Sequence, residues 1–285
     1  MDPFAAVGAS LEPLEGGWSG ETFVAQMGGA AGERTVVRIF AAPHHGPHAA
    51  EVQESVLRLV RGLVPVPEVL EARRADPSGG MPALLVTQWL SGTRLDLLLP
   101  TLDETGLGRV GESVGRLVAT LGGMPFLHRG RFVDRDLHVA VPTPPEEEPL
   151  GGVGERARAL LDTETRTCLV HGDLDPTNLL LDPETLTVTG LVDWELAHTG
   201  HPFTDLGHVL RFERHPAYVA GVLAGYAGLR GTDPEQALEL ARCADLGALA
   251  ALASRAGEDP VADRAARRLQ AILAAGDVHA VEDPV

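Results

Sequence analysis

The residues with the clearest chemical potential lie in one short stretch. Cys168-Leu169-Val170 is an apolar run that leads into His171-Gly172-Asp173-Leu174-Asp175-Pro176-Thr177-Asn178, and Leu179-Leu180-Leu181 leads out of it. Val188 to Asp193 repeats the pattern as a short strand ending in Asp193-Trp194-Glu195. Asp173 and Asn178 are five residues apart, and Asp193 follows fifteen residues further on. A carboxylate that takes a hydroxyl proton, with an amide and a second carboxylate offering hard oxygen ligands to a divalent cation, is the set that phosphoryl transfer from a nucleotide requires. Taken singly, Asp and Asn are ordinary turn residues; it is their combination and order that carries the signal.

The elements that must position these residues are legible in outline. Residues 11–40 read as three strands: the first runs into Gly16-Gly17-Trp18-Ser19-Gly20, the second covers Glu21 to Ala25, and the third covers Thr35 to Phe40. Val52, Val56, Leu59, Val60 and Leu63 recur at helical spacing, which predicts a helix over 49–62 closed by Val64-Pro65-Val66-Pro67. Two more strands, Val69 to Ala72 and Ala83 to Trp89, complete a set of five strands and one helix. After Gly92 the chain reads as helical, with segments over Leu107 to Leu121 and Glu155 to Leu161. About four more helices follow Thr204, with Pro216, Pro234 and Pro260 near their starts. A proline-acid stretch, Pro142 to Pro149, reads as a solvated loop. The composition shift near residue 90 divides the chain into a β-rich part, 1–90, and a larger helical part, 91–285.

Composition narrows the function classes. The 285 residues carry a net charge of −17, and all 23 basic residues are arginine. So acidic a chain is a poor partner for nucleic acid or an anionic membrane. Two cysteines exclude a disulfide framework, and the first twenty residues carry no secretory pattern, so a cytoplasmic protein, monomeric or homodimeric, is the expectation. The absence of lysine bears on mechanism, because phosphate-binding strands commonly use one.

With these residues in view, the sequence resembles the aminoglycoside phosphotransferase and choline-kinase-like family. The resemblance rests on His171-Gly172-Asp173-Leu174 with Asn178, on Asp193-Trp194-Glu195, and on Gly200-His201-Pro202-Phe203-Thr204-Asp205-Leu206-Gly207. It implies an α+β, two-lobed protein-kinase-like fold, with a small antiparallel sheet and a mainly helical lobe. It also implies transfer of the γ-phosphate of ATP or GTP, with Mg2+, to a hydroxyl of a small acceptor such as an aminoglycoside-like antibiotic. By the same resemblance Asp173 is the catalytic base, Asn178 and Asp193 are metal ligands, and His171 and Asp205 brace the loop. Ser19 and Gly20 would lie over the nucleotide phosphates, Arg38 would stand where the family has its phosphate-binding lysine, and the backbone of Gln88 and Leu90 would bind adenine. The family expects a Glu on the 49–62 helix to pair with that basic residue. At about 100° per residue the best-placed side chain is Gln53, with Glu51 further round and Glu54 on the opposite side. Asp175 and Glu195 are expected at the acceptor entrance, favouring a cationic acceptor.

Three other readings compete. A metal-dependent phosphoesterase could draw on His171, Asp173, Asp193, His198, His201, Asp205 and His208. A non-catalytic nucleotide-binding pseudokinase would account for Arg38 and Gln53. A protein kinase would need a peptide-binding segment, and only ten residues separate Asp193 from Phe203.

Overall fold

In the computed structural model the described residues are 9–14, 22–27, 34–40, 45–76, 78, 80–140 and 150–281. The Gly16–Gly20 turn, with Ser19 and Gly20, and the loop 142–149 lie outside them.

The first part of the chain builds one antiparallel sheet from β1 (Ala9–Pro13), β2 (Thr22–Met27), β3 (Arg34–Phe40), β4 (Val69–Arg73) and β5 (Ala83–Gln88), in the order β1-β2-β3-β5-β4. Val37, Arg38 and Phe40 of β3 are all buried, Arg38 and Phe40 on one face of the sheet and Val37 on the other, and Arg38 lies opposite Thr22 on one side and Leu85 on the other. Helix α1 (Ala49–Val60) buries Val56, Leu57 and Val60, as its apolar spacing predicts, and ends two residues earlier than expected. Glu51 and Gln53 are buried on the same helix.

The rest of the chain contains β6 (Thr93–Arg94), α2 (Leu95–Leu98), α3 (Glu104–Leu121), β7 (Pro125–Phe126), β8 (Gly130–Phe132), β9 (Val139–Ala140), α4 (Gly151–Leu161), β10 (Thr167–Val170), β11 (Leu179–Leu181), β12 (Val188–Leu191), β13 (His198–Gly200), α5 (Thr204–Leu210), α6 (Pro216–Arg230), α7 (Pro234–Ala253) and α8 (Pro260–Ala275). Pro216, Pro234 and Pro260 each occupy the first turn of their helix. The side chains of Asp233 and Asp259 cap α7 and α8 by accepting two backbone N–H groups each. This half is less purely helical than the sequence suggests. A second five-stranded sheet, β7-β10-β13-β8-β9, and a three-stranded sheet, β12-β11-β6, run through it. Their strands are two to four residues long, too short to show a period-two pattern.

Helix α3 crosses α6 at very close range. A Cβ on Gly115 would overlap the Val222 carbonyl oxygen, and one on Gly221 would overlap that of Gly108. The missing side chains therefore set the separation of the two helices. The main core is continuous from Phe40 and α1 through β11 and β12 to α3, α5, α6 and the start of α7. It anchors the β10–β13 segment, whose polar loop lies at the surface of that core. Among the described residues no helix is long and apolar enough to cross a membrane.

Candidate active site

The fully buried β10 delivers the chain to His171, which has no exposed surface. Asp205, near the start of α5 and 4% exposed, accepts hydrogen bonds from the backbone of His171 (2.8 Å) and Gly172 (3.1 Å). The loop is thus moored by one carboxylate at its first two residues. His171 then ties three segments together. Its Nδ1 accepts the Asp173 N–H at 3.3 Å, so Nε2 carries the proton and donates to Val192 O at 2.9 Å. Burial pushes His171 down to about 4, which keeps the ring neutral in that tautomer. Its edge packs on Trp194, with ring centroids 4.6 Å apart, and Trp194 Nε1 donates to Leu191 O. Gly172 is required at its position: φ is +86°, and a Cβ would collide with Leu196 O.

These bonds converge on three side chains. Asn178 Nδ2 donates to Asp173 O (2.8 Å) and to Asp173 Oδ2 (3.1 Å), so Oδ1 is the atom Asn178 can offer a cation. Val192 N donates to Asn178 O at 3.0 Å, which brings the end of β12 alongside. Asp193 follows in the left-handed region, φ 64° and ψ 63°, a conformation that costs a non-glycine residue about 1–3 kcal/mol. Burial, reinforced by the charges of Asp175 and Asp193, pushes Asp173 up to about 6. All three side chains line a cleft of about 1450 Å³ that also reaches Arg38, Gln53 and Gln88.

Arg38 is 8% exposed and crosses this cleft. Its Nη1 donates to Asp193 Oδ1 at 2.6 Å, and its Nη2 donates to Glu195 Oε2. The basic residue of β3 therefore pairs with the turn after β12 and not with α1. Glu51 of α1 bonds His48 and Arg74, and Glu54 pairs with Arg58. Gln53 faces the cleft, 6% exposed, with no partner for Oε1. The sequence suggests an acceptor-entrance position for Glu195. Its place two residues after Asp193 is visible there, but its partner on β3 is more than 150 residues away and leaves no local trace. At the end of β5, Gln88 N donates to Glu68 O at 2.8 Å, so the Gln88 backbone could offer a base its carbonyl at most. Leu90 lines the same cleft, and Trp89 there carries the Arg34 guanidinium 5.3 Å from its ring centroid.

The far end of the cleft has little foreshadowing in the sequence. Asp175 lines it while its Oδ1 accepts the Thr177 N–H at 2.7 Å. His208 of α5 is buried against Asp245, which makes a two-pronged pair with Arg211. Asp96, Asp175, Glu213 and Asp259 stand there among Arg94, Arg211, Arg255 and Arg264. Of the candidates for a hydrolase centre, His201 is buried and bonds Leu161 O, and His198 bonds Leu196 O.

The sheet, the cleft and the Asp173–Asn178–Asp193 group define a protein-kinase-like phosphotransferase fold. The chain belongs to the phosphotransferase enzyme family, whose model matches residues 10–240. Short stretches resemble characterised relatives. One is 42% identical over 57 residues to acyl-CoA dehydrogenase family member 11 of Mus musculus, covering 20% of this chain and 7% of that protein. Another is 50% identical over 52 residues to an aminoglycoside 3'-phosphotransferase of Streptomyces ribosidificus, covering 17% of this chain and 20% of that enzyme. The fold is shared over much greater lengths. The GDP complex of aminoglycoside 2'-phosphotransferase-IIIa superposes with a TM-score of 0.63 at 18% identity, over 94% of this chain and 93% of the other. A ternary complex of an aminoglycoside phosphotransferase with ADP and hygromycin B gives 0.63 at 16%, over 96% and 97%. The macrolide 2'-phosphotransferase of Brachybacterium faecium gives 0.56 at 20%, over 92% and 94%.

Proposed function

We propose that this protein transfers the γ-phosphate of ATP or GTP to a hydroxyl of a small molecule, using the cleft between a nucleotide-binding lobe, 1–90, and an acceptor lobe, 91–285. The observation that carries this is the convergence of Asp173, Asn178 and Asp193 on one wall of the cleft, opposite Arg38. Asn178, through Oδ1, and Asp193 would hold Mg2+, and their hard oxygen donors fit such an ion. A cation held by these two residues would supply charge neutralisation at the phosphates. Asp173 accepts the acceptor hydroxyl and takes its proton. Asn178, by donating to Asp173 O and Oδ2, fixes the rotamer that presents the remaining lone pairs. Asp205 and neutral His171 hold that loop in register with Asp193. Arg38 faces the phosphates, with Gln88 O and the Leu90 backbone at the base end.

The nucleotide complexes of the structural relatives, with ADP in one and GDP in another, support the nucleotide half of this reading. For the acceptor, an aminoglycoside-like polyamine is the first class to test. Asp175 supports it, but Glu195 does not, because its carboxylate is engaged by Arg38. The other acids at that end stand beside as many arginines. The test is isothermal titration with Mg·ADP and Mg·GDP, followed by a coupled assay over a panel of hydroxyl acceptors. Turnover that is lost on Asp173→Ala while nucleotide binding persists supports the reading. Nucleotide binding without turnover on any acceptor would favour a pseudokinase, and metal-dependent hydrolysis of phosphoesters without nucleotide would favour a hydrolase.

A further inference from the structure

The Arg38 guanidinium holds two carboxylates of the same turn, while its own Nε and the Gln53 Oε1 of the same cleft hold nothing. Arg38 Nε has no partner, and neither does Gln53 Oε1. One is a donor and the other an acceptor, both are inaccessible to water, and both residues line the same cleft. A buried orphaned pair of this kind is costly unless another state of the protein satisfies it. Helix α1 packs on the 194–196 turn, and Glu195 of that turn is the residue that holds Arg38 Nη2.

From this arrangement we infer that Glu195 and Gln53 together are the positioning residues for Arg38, replacing a helix acid, and that Asp193 is the partner Arg38 gives up when nucleotide binds. The inference rests on the reading of Arg38 as the residue facing the nucleotide phosphates. Asp193 cannot serve a cation fully while Arg38 Nη1 donates to its Oδ1. In the proposed function Asn178 and Asp193 hold the cation, which leaves Glu195 to keep Nη2 anchored while Nη1 turns to a phosphate oxygen. The same rotation brings Nε to a new acceptor, and Gln53 Oε1 is the unpaired one. An arginine can do all three tasks because its donors diverge in a rigid fork, whereas a lysine offers one nitrogen. The neutrality of Gln53 follows from the same charges. Asp193 and Glu195 already set two negative charges against one guanidinium, and an acid at 53 would add a third beside an incoming polyphosphate.

The test moves the acid between the two positions. Mg·ADP affinity is measured by isothermal titration for the wild-type chain, Glu195→Gln, Gln53→Glu and the double variant, with circular dichroism to verify folding. Loss of one charge-assisted anchor predicts a fall of about tenfold for Glu195→Gln. Gln53→Glu is expected to bind several-fold more weakly by repulsion. The double variant, with the acid returned to the helix, is expected to recover to within about threefold of wild type. In an Arg38→Ala background the coupling between 53 and 195 disappears. If Glu195→Gln misfolds, Glu195→Asp keeps the charge at shorter reach and is expected to retain most of the affinity. Unchanged or tighter binding by Glu195→Gln, or a double variant no better than its components, overturns the inference and leaves the proposed function standing. A wild-type chain that binds neither Mg·ADP nor Mg·GDP overturns both.

Discussion

Replacing Asp205 by asparagine changes the charge under the catalytic loop while leaving its shape almost unaltered. In the wild-type chain both carboxylate oxygens accept backbone N–H groups, from His171 and Gly172. Asparagine keeps one acceptor and turns an NH2 toward the other N–H, leaving a buried donor unmet at a cost of about 1–3 kcal/mol. Against this stands the cost of the buried charge. Burial raises Asp205 to about 6 from its ordinary 3.8, and the two N–H bonds only partly oppose it. Because the folded value lies above the unfolded one, the contribution of this group is present below about 3.8 and is lost as pH rises through about 6. The full loss is about 3 kcal/mol, of which about 2 falls between pH 4 and pH 8. The Asp205→Asn variant has no such loss. Urea denaturation of both proteins across that range should show them nearly isostable at pH 4, where the protonated acid also has a single acceptor, and the variant more stable by about 2 kcal/mol at pH 8. Its nucleotide turnover should nonetheless fall about 10²-fold at pH 8, because the loop shifts relative to Asp193. A stability difference that does not vary with pH, or a variant that loses ground to wild type as pH rises, would refute the account of Asp205 as a charge buried at a net cost.

Other substitutions probe the remaining parts. Asp173→Ala should lower turnover by about 10²–10⁴-fold with ADP affinity retained, as read by the coupled assay and titration calorimetry. Asp193→Asn should remove the Mg2+ dependence of nucleotide binding, measured by titrating ADP with and without the cation. His208 is pushed down to about 3 by burial, below its unfolded value, so its contribution to stability is lost as pH falls below about 6.5. His208→Gln should therefore gain about 2 kcal/mol on wild type between pH 7 and pH 5 in urea titrations. Gly115→Ala drives a Cβ into the Val222 carbonyl and should lower stability by about 3 kcal/mol, visible as a reduced urea midpoint at unchanged slope.

The parts of this molecule legible in its sequence are those set by local rules. Val52, Val56 and Val60 repeat at helical spacing, and α1 forms there. Pro216, Pro234 and Pro260 open their helices because each lacks only an N–H that the first turn leaves unpaired anyway. The spacing of Asp173, Asn178 and Asp193 is legible because a hairpin of fixed length, β11–β12, joins them. What escapes is what depends on distant partners. The β7–β10–β13 sheet consists of strands held by neighbours far along the chain. The glycines of α3 and α6 matter only because the two helices cross where they lie. Arg38 stands out as a departure, but its partners cannot be found by looking along α1, since the acid it uses sits on another element.

That displacement changes how the site should be understood. A basic residue paired to a helix acid reports the position of the helix; one paired to Asp193 and Glu195 reports the state of the turn after β12. On the reading proposed above, the guanidinium holds the turn that would receive the cation, so β3 is linked to that turn through the residues that nucleotide binding would rearrange. The strain at Asp193, held with positive φ, is compatible with such a role. Val192 N bonded to Asn178 O and Val192 O bonded to the His171 ring fix the backbone immediately before it. The turn cannot relax by sliding, and only the side chain can exchange partners. On the same reading, binding energy from a nucleotide would be directed to one exchange, at Arg38, rather than spread through the loop.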